Sequence, residues 1–329
     1  MAPHSAPVQR AHAVLLALAW LGPLTRIQMQ QLCLKHQSQK TMQRLLRALE
    51  RHDPPLIRKD VRATYDAAHR VTRPQPALWF LTDAGRQTIA RDPRYPRRVQ
   101  RDHYPAKVHG PRGPHLRAHD LLTTATVVAI LRMAMSQALT GVFVTCETRL
   151  DWQQPAPLLD ALLLLHHHGQ LASPDQIPWT RDPATGDEQI VCFALESDRG
   201  TEGDAMIAAK ARAYLAVFTD PTWPERWAST FPVTHPRVVW NVSSAARLHA
   251  IDQLWRQVWS QGWWALTTPD LLATGMVIWS LPGMQRTEPL FGPTLAALRN
   301  PAESMLGWEH SDTGDPGVQR EDRWKKYWL

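Results

Sequence analysis

The chain has 329 residues, of which 44% are hydrophobic and 20% charged, enough apolar material to bury two cores and too much for a disordered protein. Three well-separated cysteines, Cys33, Cys146 and Cys192, contain no C-x-x-C pair. That spacing excludes a disulfide framework and a zinc ribbon and fits a reducing, cytoplasmic setting. The net charge of +7 joins two unlike halves: residues 1–120 hold 21 Lys and Arg against 8 Asp and Glu, and residues 121–329 hold 16 against 22.

A helix is expected over residues 6–20, ending at the breaker Leu21-Gly22-Pro23. Its apolar stretch is about half the ~20 residues that span a bilayer, so it reads as a core helix and no membrane partner is expected. Thr25 stands where an N-cap would open a second helix over 26–35, with Met29, Leu32 and Cys33 on one face. Ser38 caps a third. There Met42, Leu45, Leu46 and Leu49 follow helical spacing, and Lys40, Gln43, Arg44, Arg47 and Arg51 fall on the opposite side.

Past Pro54-Pro55, a strand over 56–59 and an apolar run over 77–81 flank a polar loop, a ribbon carrying Arg58, Lys59, Arg62, Arg70 and Arg73. Leu81-Thr82-Asp83-Ala84-Gly85-Arg86 then opens a helix capped by Thr82 or Asp83. Three helices, a ribbon and a helix over residues 1–92 make a winged helix-turn-helix. In such a module the third helix enters a major groove of double-stranded DNA and the wing's cations reach phosphates. Gln43, Arg44 and Arg47 could pair with base edges or reach phosphates alone. A basic helix face also serves as a solvated surface or a protein adaptor, and the net excess of cations in this half favours DNA. Residues 93–115 form a basic, proline-rich linker that could lie along a DNA backbone or act as a tether.

Over 116–282 the pattern is α/β (α+β). A buried helix at 119–139 precedes strands at 142–146, 158–165 and 190–196, the second ending in a His166-His167-His168 turn. Thr201 is expected to cap the next helix, which carries Lys210 and Tyr214, followed by a strand at 237–242 and a helix through Trp259. An edge strand is expected at 262–266 and a short apolar run at 276–279, with an irregular tail over 283–329. Thirteen of the fifteen tryptophans follow residue 150, which points to large apolar contacts in this half.

The order αβββαβα is that of the PD-(D/E)XK nuclease-like core. Asp160 falls on its second strand, and Glu196 and Asp198 share a face at the end of its third. Convergent carboxylates are the ligands a hard Mg²⁺ ion requires, and such an ion would activate water against a phosphodiester. Lys210 is the nearest lysine able to supply the positive charge that nuclease motifs place where Asp198 stands. The same acids could instead form an ion-pair network and a turn cap.

His119-Asp120, Asp160 and above all Leu195-Glu196-Ser197-Asp198-Arg199-Gly200-Thr201-Glu202, followed by Lys210 and Tyr214, resemble the replication-relaxation family of plasmids and other mobile elements. The Leu81-Thr82-x-x-Gly85 segment resembles the end of that family's winged helix. The likeness covers about residues 8–260, with one departure: Leu159 stands before Asp160 where the family usually has Pro. It implies a DNA-binding protein acting in plasmid replication, DNA relaxation or transfer initiation. Two alternatives are a Mg²⁺-dependent nickase using Asp160, Glu196, Asp198 and Lys210, and a winged-helix transcriptional regulator. Implied partners besides DNA are a second copy of the chain or replication and transfer proteins.

Overall fold

The computed structural model describes residues 6–33, 37–60, 64–65, 71–73, 76–90, 114–136, 139–149, 158–167, 190–228 and 236–292. The proline-rich linker up to residue 113, Arg62, Arg70, His168 and the tail from residue 293 lie outside them. Contacts divide the chain into two units, one built chiefly from residues up to Val128 and the other chiefly from Ala129 onward.

The first unit opens with α1 (Ala6–Leu21), β1 (Leu24–Thr25), α2 (Arg26–Cys33) and α3 (Gln39–Glu50). Gly22, at φ 73°, closes α1 by donating its N–H to the Leu18 carbonyl at 3.1 Å. A reciprocal capping box starts α2: Gln28 N–H donates to Thr25 Oγ1 at 3.2 Å, and Thr25 N–H donates to Gln28 Oε1 at 2.8 Å. Ser38 caps α3 by accepting from Thr41 N–H at 3.2 Å. Met42, Leu46 and Leu49 of α3 are buried with Met29 and Leu32 of α2, as the helical spacing dictates.

β2 (Ile57–Asp60) and β5 (Leu78–Leu81) pair antiparallel, and β1 adds to the other side of β5. Between them β3 (Thr64–Tyr65) and β4 (Val71–Arg73) form a separate two-stranded ribbon. The two residues of β1 are too few to show a periodicity in sequence.

Thr82 caps α4 (Asp83–Ala90) by accepting from Gly85 N–H at 3.1 Å, and its own N–H donates to the Leu56 carbonyl at 3.1 Å. A Cβ on Gly85 would collide with that same Leu56 carbonyl and press on Leu81 Cδ2 at 3.1 Å. Here the glycine of the Leu-Thr-x-x-Gly segment is a packing requirement. Gly85→Ala is expected to destabilise the first unit by about 1–3 kcal/mol. A melting temperature equal to the wild type's would refute that close approach.

The second unit is a seven-stranded sheet in the order β12-β11-β10-β9-β8-β7-β6. Its strands are β6 (Leu139–Arg149), β7 (Leu158–His167), β8 (Ile190–Asp198), β9 (Arg237–Val242), β10 (Trp264–Thr267), β11 (Met276–Leu281) and β12 (Met284–Pro289). β8 to β9 and β9 to β10 are parallel and the other pairs antiparallel. The helices are α5 (Pro114–Ser136), which spans the division between units, then α6 (Asp204–Phe218), α7 (Trp223–Ala228), α8 (Ala245–Val258) and α9 (Pro269–Ala273).

One core packs α6 and α8 on a sheet face carrying Leu162, Cys192, Ala194, Val238, Trp240 and Leu266. Trp255 of α8 lies at its centre, with ring centroids of Tyr214, Trp264 and Trp240 at 5.2, 5.3 and 5.4 Å. The described late tryptophans of this cluster therefore pack an interior.

Several expectations are corrected. The edge strand expected at 262–266 is β10, which lies inside the sheet because β11 and β12 extend it. The segment after Pro282 expected to be irregular begins with β12. His166 and His167 belong to β7, paired with Thr140 and Leu139, because the β6–β7 ladder continues past the apolar run. The N-cap of α6 is Gly203, without a side-chain bond, instead of Thr201.

Candidate functional site

In the first unit the outward face of α3 is cationic. Lys40, Gln43, Arg44, Arg47 and Arg51 are exposed, as are Arg58 and Lys59 on β2. The periodicity that buries Met42, Leu46 and Leu49 turns these residues to solvent. Arg73 stands on β4, its side chain outside the described set. Lys59 Nζ lies 6.0 Å from the centroid of the Trp79 ring. A groove beside α3 of about 340 Å³ is lined by Arg26, Ile27, Gln43, Arg47, Lys59 and Trp79 among others, and cations predominate among its charged residues. Such an array can neutralise neighbouring phosphates and offers two guanidinium forks and an amide to base edges.

In the second unit the acids gather around Lys210. The β7–β8 register, with Ala161 opposite Leu195, puts Asp160 beside Glu196 on one sheet face. Asp160 Oδ2 accepts from Ser197 N–H at 2.5 Å. Glu196 is fully buried: its Oε1 accepts from the Tyr214 hydroxyl at 2.7 Å and its Oε2 from Lys210 Nζ at 3.0 Å. Lys210 also donates to Glu202 Oε1 at 2.8 Å and lies 5.3 Å from the centroid of the Trp240 ring. Spacing of i, i+4 on α6 brings Lys210 and Tyr214 to the same carboxylate.

Asp198 has a different setting. Its Oδ1 accepts from the amides of Gly200, Thr201 and Glu202 at 2.9, 3.2 and 3.4 Å, and its Oδ2 accepts from Arg247 Nε. Arg247 also donates to the Glu202 carbonyl and to Asp204 Oδ1. Gly200 holds φ +80°, a left-handed turn that a side chain would strain, and this turn aims the three amides at Asp198.

Burial pushes the Glu196 carboxyl up to about 7; Lys210 and the Tyr214 hydrogen bond pull it down, and Asp160 adds to the rise. Burial would lower Lys210, but the charges of Glu196, Asp160 and Glu202 outweigh it and raise its pKa. Burial, then Glu196, raises Tyr214. The native state therefore keeps a proton on Glu196 that the unfolded chain releases from about pH 4.5 upward. The stability from this group is full below that pH, is lost as pH rises to about 7, and is level above. Accordingly the melting-temperature advantage of wild type over Glu196→Gln should shrink across that window. A growing advantage would mean the ionised carboxylate is the favoured form.

As arranged, these donors do not fit a Mg²⁺ ion. Both Glu196 oxygens are engaged by Tyr214 and Lys210, and both Asp198 oxygens by backbone amides and Arg247. Among the described residues no three His, Cys, Asp or Glu side chains are grouped to hold a metal. Cys33 and Cys192 are free thiols whose pKa burial pushes up, Cys33 to about 12. Of the four residues expected to form one site, the structure gathers Asp160, Glu196 and Lys210 and holds Asp198 in a separate network; Glu202 and Arg247 were not among those expected. Glu202 had a signal, since it lies within the same motif; Arg247 is 49 residues from Asp198 and had none.

No helix of the described residues is long and apolar enough to cross a membrane. Neither the curated proteins nor the solved structures contain a match to this chain. A family model does match: replication-relaxation, over residues 15–234, a span that includes α3, Asp160 and the whole Glu196–Tyr214 cluster. On that match over most of its length, the chain belongs to the replication-relaxation family.

Proposed function

We propose that this chain is a DNA-binding protein acting in the replication or relaxation of a plasmid or other mobile element. The family points to that process, and the exposed cations of α3 and β2 support double-stranded DNA as its partner. In this reading the first unit is a winged helix-turn-helix. α3 lies in the major groove, with Gln43, Arg44 and Arg47 at base edges or phosphates and Lys40, Arg51, Arg58 and Lys59 at phosphates. Arg73, on β4, belongs to the wing in this reading.

The second unit, whose order from α5 to α8 is αβββααβα, is read as a nuclease-like domain whose acids hold the fold. One observation carries this: the motif acids Glu196, Asp198 and Glu202 are all bonded to other groups of the same domain, through Lys210, Tyr214, the turn amides and Arg247. A carboxylate committed to an ammonium and a phenol has no call for a second cation.

The test is incubation of the protein with supercoiled plasmid and Mg²⁺ or Mn²⁺. Retarded but uncut plasmid is the expected result. Nicking that is lost in Glu196→Ala would overturn the structural reading of the cluster and make the domain a nuclease.

A further inference from the structure

β12 is the outer strand of the seven-stranded sheet. It pairs with β11 along all six residues without a shift of register, and no described strand lies on its other side. Its side chains are exposed, apart from a half-buried Glu288. Natural edge strands are commonly blunted by charged side chains, proline, a bulge or extreme shortness. This edge is six residues long and has no bulge, its two charges, Arg286 and Glu288, are of opposite sign, and its one proline is the final residue.

The backbone pattern follows from the hairpin. Leu281 faces Met284 across the two-residue turn Pro282-Gly283, and in such a hairpin the closing pair exchanges both backbone hydrogen bonds. Bonding alternates along an antiparallel pair. Met284, Arg286 and Glu288 therefore spend their backbone groups on β11, and Gln285 and Thr287 turn theirs outward.

We propose that β12 pairs antiparallel with β12 of a second copy of this chain, about a two-fold axis at Thr287. In that register the two central threonines exchange both N–H to carbonyl bonds. On either side Gln285 faces Pro289 of the partner subunit, whose carbonyl already accepts from its own turn, as Pro289 here accepts from Gly292 N–H at 2.8 Å, so the two central bonds are those the pair adds. Arg286 then stands directly opposite Glu288 of the partner subunit, twice, in the closely approaching non-hydrogen-bonded positions. Centring the axis on Arg286 would oppose two arginines, and centring it on Glu288 would oppose two glutamates. Of the registers centred on a β12 residue, the one at Thr287 opposes unlike charges. One strand pair buries less than the ~1,200 Å² of a standard stable interface, so the dissociation constant is expected on the order of micromolar or weaker.

Sedimentation velocity on the full chain without DNA, over a concentration series, tests this. A reversible monomer–dimer equilibrium is expected. Arg286→Glu and Glu288→Arg should each weaken it about tenfold, by setting like charges opposite one another. The combined swap should restore it. Thr287→Pro removes an outward N–H without touching a bond to β11, so it should abolish the dimer even if one charge reversal fails to fold. A monomer at every concentration, or a dimer indifferent to both reversals and to Thr287→Pro, would overturn the proposal.

Discussion

Lys210→Met is expected to destabilise the second unit by about 3 kcal/mol at pH well above 7, where Glu196 is ionised, the cost of leaving a buried carboxylate without its partner. The side chain of Glu196 is 0% exposed and that of Lys210 only 18%, so water cannot replace the lost ammonium. Methionine keeps an unbranched stem over the Trp240 ring, which confines the loss to charge. Glu196 has one relief: it can take up a proton, and loss of Lys210, which holds its pKa down to about 7, lets burial raise it further. The penalty should therefore shrink as pH is lowered toward 7. In Lys210→Met/Glu196→Gln no buried charge is orphaned on Glu196, while Glu202, whose side chain is 24% exposed, can turn to solvent. Urea unfolding of the two single variants and the double should give a coupling above about 1 kcal/mol. Strict additivity would show that the two groups are not energetically paired.

The second large effect concerns DNA. Arg44→Ala with Arg47→Ala should weaken duplex binding about 10- to 100-fold, the range expected when two guanidinium contacts to phosphates or bases are removed. Both side chains are exposed and neither supports the core, which Met42, Leu46 and Leu49 supply. Alanine is a strong helix former, so α3 should persist and stability should change by about 0.5 kcal/mol or less. Fluorescence anisotropy with a labelled duplex measures the loss. Unchanged affinity would remove α3 from the interface.

The first unit was legible because its signals are local. Thr25, Ser38 and Thr82 announce helix starts within three residues, and the 3.6-residue period of α3 separates Leu46 from Arg47. β12 was missed because Met284-Gln285-Arg286-Thr287-Glu288 alternates no apolar face; an edge strand exposed on both sides leaves no period of two to read. β10 reads as an edge in sequence because its neighbour β11 shows only a short apolar run, without an alternation that marks a strand. In the candidate site, strand alternation correctly put Glu196 and Asp198 on one face, yet their roles differ. Glu196 faces Lys210 and Tyr214, while Asp198, at the end of the strand, collects the amides of the turn that Gly200 allows. That difference depends on Arg247 and on the path of the turn, which are tertiary facts. Each acid from Glu196 to Glu202 is bonded to a named cation, hydroxyl or amide of the same domain.

The account stands or falls on whether the first unit's cations meet DNA phosphates. The most direct measurement is duplex affinity as a function of salt for the wild type and for Arg44→Ala/Arg47→Ala. The account predicts a steep linear fall of log affinity with log salt for the wild type, and a slope shallower by about 2 in the double variant if both arginines neutralise phosphates. A salt-independent affinity in the wild type, or a double variant with both affinity and slope unchanged, would contradict it.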